Sequence, residues 1–388
     1  MKVINNAGFD KSTAPKLDTQ QVFIYQPQTK EDWGYSHHQF ITFFKGRFYA
    51  MWSSGRTHED LQGQRVMISS SADGVNWDVP KPLLDSILGE HIDVTLTASG
   101  FYVFDGKLNA YIGQYEYDIE GLIPVGHAQV LADNASQYSL DMFSFPGTTH
   151  RNTKMLIMTS EDGVNFTQPI DTHLPIVPNF PPQPLQSGRL LISGNIMYPY
   201  SDDKTGISGW KKAGIYAKSE EETVYDDSEG LEIIKKKQGW ASHRCEGAFY
   251  QLPDGTINML LRSGTPILYC SQSKDNGVTW SEPFATEFSD DTTKFYFGKL
   301  PDGRFYYIGN PVSQSGRCPL VLSISSNGID FDKHYIIENK IFPKRFEGLC
   351  KGGMYGYPHS LVHGNKLYVI YSVNKESVAV SSFDISKL

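Results

Sequence analysis

Cysteine is scarce in this chain of 388 residues: four are present, Cys245, Cys270, Cys318 and Cys350, and no two stand in a CxxC spacing. That excludes a zinc ribbon or a thiol redox motif and leaves them to be read as buried small residues. No apolar run approaches the ~18 residues that a membrane-spanning helix needs. The first stretch, MKVINNAGFDKSTAPKLD, lacks the apolar h-region of a signal peptide. No amphipathic segment has convincing helical length, and SEEETVYDDSEGLEIIKKK (219–237) is polar and charged, as a loop would be. Positive charge is in deficit, 35 Lys and Arg against 43 Asp and Glu for a net charge of -8, which argues against nucleic acid or an anionic membrane as partner. No spacing implies a metal or an organic cofactor, and nothing in the sequence speaks to the oligomeric state.

Turn formers and aromatics, by contrast, are plentiful: 35 Gly, 21 Pro and 13% aromatic residues. Such a composition suits many short strands joined by tight turns. One unit recurs, an apolar strand followed by Asp/Asn-Gly, an aliphatic residue and an aromatic. It reads RVMISSSADGVNW (65–77), MLIMTSEDGVNF (155–166), ILYCSQSKDNGVTW (267–280) and LVLSISSNGIDF (320–331). Asp or Asn before Gly tolerates left-handed backbone angles and can bind nearby amides, so each copy predicts a tight polar turn pinned by its aromatic. Only Ser273, Asp275, Gly277 and Trp280 match a full Ser-x-Asp-x-Gly-x-x-Trp pattern. Counted from Ser70 and Thr159, the other well-formed copies show Ala72 and Glu161 at the Asp position.

A second signal interleaves with the first: strand, Gly turn, strand. It appears at 40–54, 101–115, 187–194, 249–264, 295–310 and 357–372. Each hairpin joins the first two strands of a four-stranded antiparallel unit, and the Asp-containing turn joins the last two. The chain is therefore expected to be an all-β propeller in a single domain over residues 1–388. The strand QQVFIYQP (20–27) is expected to complete the last blade and close the ring. Six hairpins give six blades, with 116–150 a long insertion or a seventh blade with eroded turns; seven is the preferred count.

Strand direction alternates within a blade, so the residues just before each inner strand share one face with the loops joining strands two and three. That face is rich in polar groups. It collects His37 and His38, His91 and Asp93, His243, Arg244 and Glu246, Lys294, and Lys351, Tyr355, Tyr357 and His359. The strand two-to-three loop of blade one adds Arg56, His58, Glu59 and Asp60, and the long insertion adds Tyr115, Tyr117, His127, His150 and Arg151. Arg47, Arg189 and Arg304 lie in or beside hairpin turns on the opposite face and are read as structural.

The turn pattern resembles the Asp-box of the sialidase-like (BNR repeat) propellers. In a sialidase that resemblance implies an early Phe/Tyr-Arg-Ile-Pro segment, three arginines gripping one carboxylate, and a Tyr nucleophile with a Glu partner. The first is missing here, and Arg244 and Arg262 are the candidates for a clamp. Over most of the chain the sequence is most similar to propellers acting on L-rhamnose-α-1,4-D-glucuronate, described as α-L-rhamnosidases and as lyases. YSHHQF, WSSGRTHED and GQRVMISSSADG resemble their first blade, and MYGYPHSLVHGNKLYVIYSVNKE their last. The resemblance implies a catalytic site built around histidine, mapped to His38 and His58, with His37, Arg151, Arg244, Glu246, Tyr357 and His359 binding an oligo- or polysaccharide that carries rhamnose and uronic acid. It also implies a periplasmic or secreted protein.

The residues make chemical sense of that assignment. An elimination must remove the C5 proton of a uronate, which becomes acidic enough only when an arginine such as Arg244 or Arg151 neutralises the carboxylate. A neutral His is a suitable base near pH 7, and a second His or a Tyr can protonate the departing oxygen. A hydrolase would instead use water, and the mouth offers Glu246, Asp93, Glu59 and Asp60 without singling out a pair. An exo-sialidase or a glycan-binding propeller without catalysis are the further alternatives.

Overall fold

The computed structural model describes residues 3–59, 62–90, 93–117, 150–215, 244–348 and 350–388, except the side chains of Tyr117 and Arg151. Every sheet is a four-stranded antiparallel blade, and there are six of them among the described residues. Blade one is β2 (Tyr35–Phe44), β3 (Arg47–Gly55), β4 (Arg65–Ser71) and β5 (Lys81–Leu84). Blade two is β6 (Thr95–Phe104), β7 (Lys107–Tyr117), β8 (His150–Ser160) and β9 (Ile170–Asp171). Blade three, β10 (Phe180–Pro184) to β13 (Trp210–Lys211), is the shortest; its middle strands are β11 (Leu190–Ser193) and β12 (Tyr200–Ser201). Blade four holds β14 (Arg244–Gln251), β15 (Ile257–Ser263), β16 (Ile267–Ser273) and β17 (Phe284–Ser289). Blade five holds β18 (Tyr296–Lys299), β19 (Phe305–Gly309), β20 (Leu320–Ser325) and β21 (Lys333–Glu338).

The sixth blade closes the ring as expected. Its strands β22 (Tyr355–His363), β23 (Lys366–Val373) and β24 (Ser377–Asp384) are completed by β1 (Gln20–Tyr25), paired antiparallel to β24 with Gln20 opposite Ser382. The inner strands then run in a closed circuit: β2 packs on β6, β6 on β10, blade three on β14, β14 on β18, β18 on β22, and β22 on β2. Six blades, the alternative count, complete the circuit, and the preferred seven is corrected. The reason is local: β7 pairs directly with β8, with Tyr117 opposite His150, so 118–149 leaves and returns between strands two and three of one blade. That segment and 219–237 lie outside the described residues.

Most strands are buried on both faces; β3, β20, β23 and β24 are covered at nearly every position. The apolar clusters run from blade to blade; one is the seam that combines Phe48, Ala50 and Trp52 of blade one with Tyr368, Ile370, Val378 and Val380 of blade six. Cys245 and Cys270 are buried as expected, but Cys318 and Cys350 are only half-buried; all four are free thiols.

The repeated turns prove more regular than their spelling. Ser71 Oγ takes the amide of Gly74 at 2.9 Å, and Asp73 Oδ1 takes the amides of Val75 and Asn76 at 2.8 and 2.7 Å. Ser160 and Asp162 repeat this geometry. The apparent loss of Asp at positions 72 and 161 is thus an alignment offset: the Ser is one residue later and the turn one residue shorter than Ser273–Trp280. A fifth copy, unmarked in the sequence reading, is SDDKTGISGW in blade three, where Asp203 Oδ1 and Oδ2 receive Thr205 N and Ser208 N. Arg47, Arg189 and Arg304 pair with Asp78, Asp202 and Asp302 around these turns, which makes them structural.

Each turn glycine is seated on the preceding blade: Gly74 on Tyr368, Gly163 on Tyr49, Gly206 on Tyr111, Gly277 on Leu191, Gly328 on Tyr250. The repeat is therefore a staple between blades as well as a turn within one. Gly163 has a φ of 76°, and a Cβ there would overlap the Tyr49 hydroxyl. Gly163→Ala is expected to destabilise the protein by about 2–4 kcal/mol in urea unfolding, from backbone strain plus overpacking; a loss below about 0.5 kcal/mol would show that the turn does not bear on its neighbour.

Candidate functional site

Three inner strands carry the same irregularity. In β2 the register slips between His37 and Phe40, in β14 between Cys245 and Ala248, and in β22 between Gly356 and His359. Each is a bulge holding one non-glycine residue in left-handed conformation: His38 at φ 51°, Glu246 at 49° and Tyr357 at 53°. Such residues are uncommon and persist only where surrounding structure fixes them. All three bulges lie at the strand ends on the predicted mouth, and they bring blades one, four and six together there.

Tyr357 is the centre. Its hydroxyl donates to Oε1 of Glu246, while Arg262 of β15 donates from Nη1 to Glu246 Oε2 at 2.6 Å and to Tyr357 Oη at 3.3 Å. The Tyr357 ring packs against His37 at a tilt of 38° with centroids 3.9 Å apart and meets His38 edge-on at 5.2 Å. Arg317, from the loop joining β19 to β20, lies with its guanidinium carbon 5.7 Å from the ring. Its backbone is left-handed at φ 63° and is held by an N–H bond to Asp291 Oδ2 at 2.7 Å. The buried Nη1 of Arg317 has no hydrogen-bond partner among the described residues. A guanidinium N–H so placed favours an incoming anion.

The charge states follow. Burial pulls the Glu246 carboxyl upward, but Arg262 and the Tyr357 hydroxyl outweigh it and hold it down to about 2. Burial and then the Glu246 charge push the Tyr357 phenol well above its ordinary value, so it is a neutral donor at rest. Burial lowers His38 well below 6.5, with the Lys294 charge second. His37 is lowered by burial and by Lys375; its Nδ1 meets Ser372 Oγ at 2.8 Å. With His37 neutral, its 4.0 Å approach to Glu59 is no ion pair.

The other sequence candidates divide. His58 lies beside Lys351, and burial followed by that charge lowers its imidazole below 6.5. His359 packs deeper among Phe40, Phe180 and Tyr296 and is pushed down to about 3 by burial and Lys294. Arg244 stacks on Tyr269 at 3.4 Å, outside the Arg262–Glu246–Tyr357 group. Arg151 is placed only by its backbone, opposite Glu116. His91, His127, His243 and Asp60 fall outside the described residues. Arg317 was missed by the sequence reading, since GRC in a loop has no periodicity to mark it. Among the described residues, no group of three His, Cys, Asp or Glu is placed to hold a metal, and no helix is long and apolar enough to cross a membrane.

Comparison with known proteins now adds the family. The BNR repeat-like domain matches residues 46–369. The chain belongs to that family. Among solved structures, this BNR repeat-like propeller resembles a sialidase at a TM-score of 0.63 and 18% identity, over 98% of this chain but only 35% of that one. It is similar to the NanB sialidase of Streptococcus pneumoniae (TM-score 0.61, 15% identity, 95% of this chain and 71% of that one). It is similar too to the intramolecular trans-sialidase of Ruminococcus gnavus (0.60, 14%, 94% and 97%). At these identities the likeness is one of fold. No protein of curated function matches the chain in sequence.

Proposed function

We propose that this propeller cleaves a glycoside whose terminal sugar bears a carboxylate, by displacement at the anomeric carbon with Tyr357 as nucleophile. The observation that carries the reading is the Tyr357–Glu246 hydrogen bond with Arg262 on the far carboxylate oxygen. In the first step the Tyr357 oxygen bonds to the anomeric carbon, its proton passes to Glu246, and the bond to the departing oxygen breaks with protonation of that oxygen. In the second step water attacks the same carbon and gives its proton to the group that protonated the departing oxygen, the bond to Tyr357 breaks, and Glu246 returns its proton to the phenolate. Glu246 as partner spares the site a free phenolate beside an anionic substrate. Arg262 reaches the Tyr357 hydroxyl and Arg317 lies beside its ring, and the two are assigned the carboxylate. His38 and His58 are the two candidates for the proton to the departing oxygen, and single replacement of each separates them.

A second reading keeps the same substrate charge and changes the bond-breaking step. Elimination at a rhamnose-α-1,4-glucuronate linkage would use His38 as base, and its buried Nδ1, which has no hydrogen-bond partner among the described residues, favours it. One experiment distinguishes the two. A fluorogenic sialoside and a rhamnose-capped glucuronide are incubated with the protein while absorbance near 235 nm is followed. Release of sugar without absorbance, with a fluorinated analogue leaving its mass on the peptide that contains Tyr357, is the expected result. A rise at 235 nm abolished by His38→Ala would replace the displacement with elimination, and binding without turnover of either substrate would make the propeller a glycan-binding protein. The proposed place of action is the periplasm or the exterior, where such glycans are met.

A further inference from the structure

Beneath the dyad a buried lysine remains that the displacement does not use. Lys294, just before β18, is 3% exposed, and its ammonium lies 4.4 Å from the ring centroid of Phe180, 5.2 Å from Tyr357 and 5.3 Å from Phe40. Its hydrogen bond goes to the carbonyl of Asn179. No carboxylate forms an ion pair with it among the described residues, although Glu246 lies near enough to act on its charge. An ammonium can rest on aromatic faces, but an interior lysine without a carboxylate partner is expensive and is seldom retained for packing alone. Its neighbours are the mouth itself: His37 and His38 from β2, Glu246 from β14, and Tyr357 and His359 from β22.

We propose that Lys294 is a positioning residue of this mouth: a buried ammonium, caged by Phe40, Phe180 and Tyr357, that adds a positive charge beneath the imidazoles and the carboxylate around it. The inference rests on the reading of the mouth as an anion site. Blade one offers His38 at the mouth, and burial first, then Lys294, keeps that imidazole neutral. The lysine therefore contributes the third positive charge, after Arg262 and Arg317, from below. Burial lowers its own amine to about 7 against the opposing pull of Glu246, so this charge is present in mild acid and fades as the pH rises through neutrality.

Two measurements on the full chain test it. The first is binding of free glucuronate and of N-acetylneuraminate by calorimetry at pH 6 and pH 8. The wild type is expected to bind more weakly at pH 8, Lys294→Met to lose about tenfold at pH 6, and Lys294→Arg to bind alike at both pH values, as a charge-assisted contact predicts. The second follows the imidazole resonances of His38 and His359 by NMR. In Lys294→Met their titration midpoints are expected to move up by about one pH unit, since a neighbouring cation disfavours the imidazolium. A lysine that only filled the channel would leave both readouts unchanged on replacement by the similarly shaped Met, and that result overturns the inference. If neither sugar binds the wild type, the anion reading of the mouth fails on its own account; unmoved histidines in Lys294→Met overturn the role of Lys294 whichever way binding falls.

Discussion

Tyr357→Phe is expected to reduce turnover of the responsive glycoside by at least about a thousandfold, roughly 4 kcal/mol of transition-state stabilisation, because the attacking oxygen is gone. The ring would stay, packed against His37 and beside His38. Substrate binding should therefore change little, and the loss should fall on kcat rather than KM. The fluorinated trap should no longer add mass to this peptide. Glu246→Gln should be less severe and of a different kind: an amide still accepts the phenol's hydrogen bond but cannot take its proton. Retention of a tenth or more of wild-type turnover by Tyr357→Phe would remove the phenol from the mechanism and return the chemistry to the histidines.

The second large effect concerns stability. Lys375 is bonded to Glu59 Oε2 and to the carbonyl of Cys350 at 2.9 Å, and Lys351 pairs with Glu376 at 3.4 Å. All four charged side chains are nearly buried, with side-chain exposures from 0% to 11%. They tie the blade-one loop that carries His58 to the two segments flanking β22 and β23. Removing one partner of a buried pair leaves the other uncompensated, so Lys375→Met is expected to destabilise the protein by about 3–5 kcal/mol. The double variant Lys375→Met, Glu59→Gln should recover more than half of that loss, since no orphan carboxylate remains. Equal destabilisation in single and double variants would mean that the loop, and not the charge pair, carries the energy. Urea unfolding of the three proteins at pH 7 decides between them.

Much of the ring was legible in the sequence because its signals are local. An apolar strand, a Gly turn and an Asp/Asn-Gly turn recur at short range, and closure by residues 20–27 follows from counting strands. The blade number was harder, since a long segment between β7 and β8 has enough residues for a sheet and nothing in its composition says that its flanks pair with each other. The turn register was hidden by a one-residue difference in loop length, which displaced Asp73 and Asp162 from their places in the pattern. At the site, the residue types were visible but not their assembly. Glu246 and Tyr357 could be placed on one face by strand direction, whereas a bulge, which rotates one side chain out of the alternation, leaves no trace in period-two patterning. Lys294 could likewise be placed on that face, though not its burial under the aromatic rings; Arg317 was harder still, in a loop where no periodicity distinguishes a functional cation from a solvated one.

The three left-handed kinks have a consequence for how such a molecule can change. A paired strand residue answers to partners across the ladder and to the seam it faces, so its replacement is judged by the whole sheet. The kinked residue has no partner across the ladder. The ladder on either side of His38, Glu246 and Tyr357 pairs without them, so exchange there is expected to touch the contacts at the opening rather than the pairing of the blade. Blades one, four and six thus provide three sockets that meet one another at a single opening, through the Tyr357–Glu246 bond and the His38–Tyr357 ring contact, so a new reaction needs a new set of occupants there rather than a new architecture.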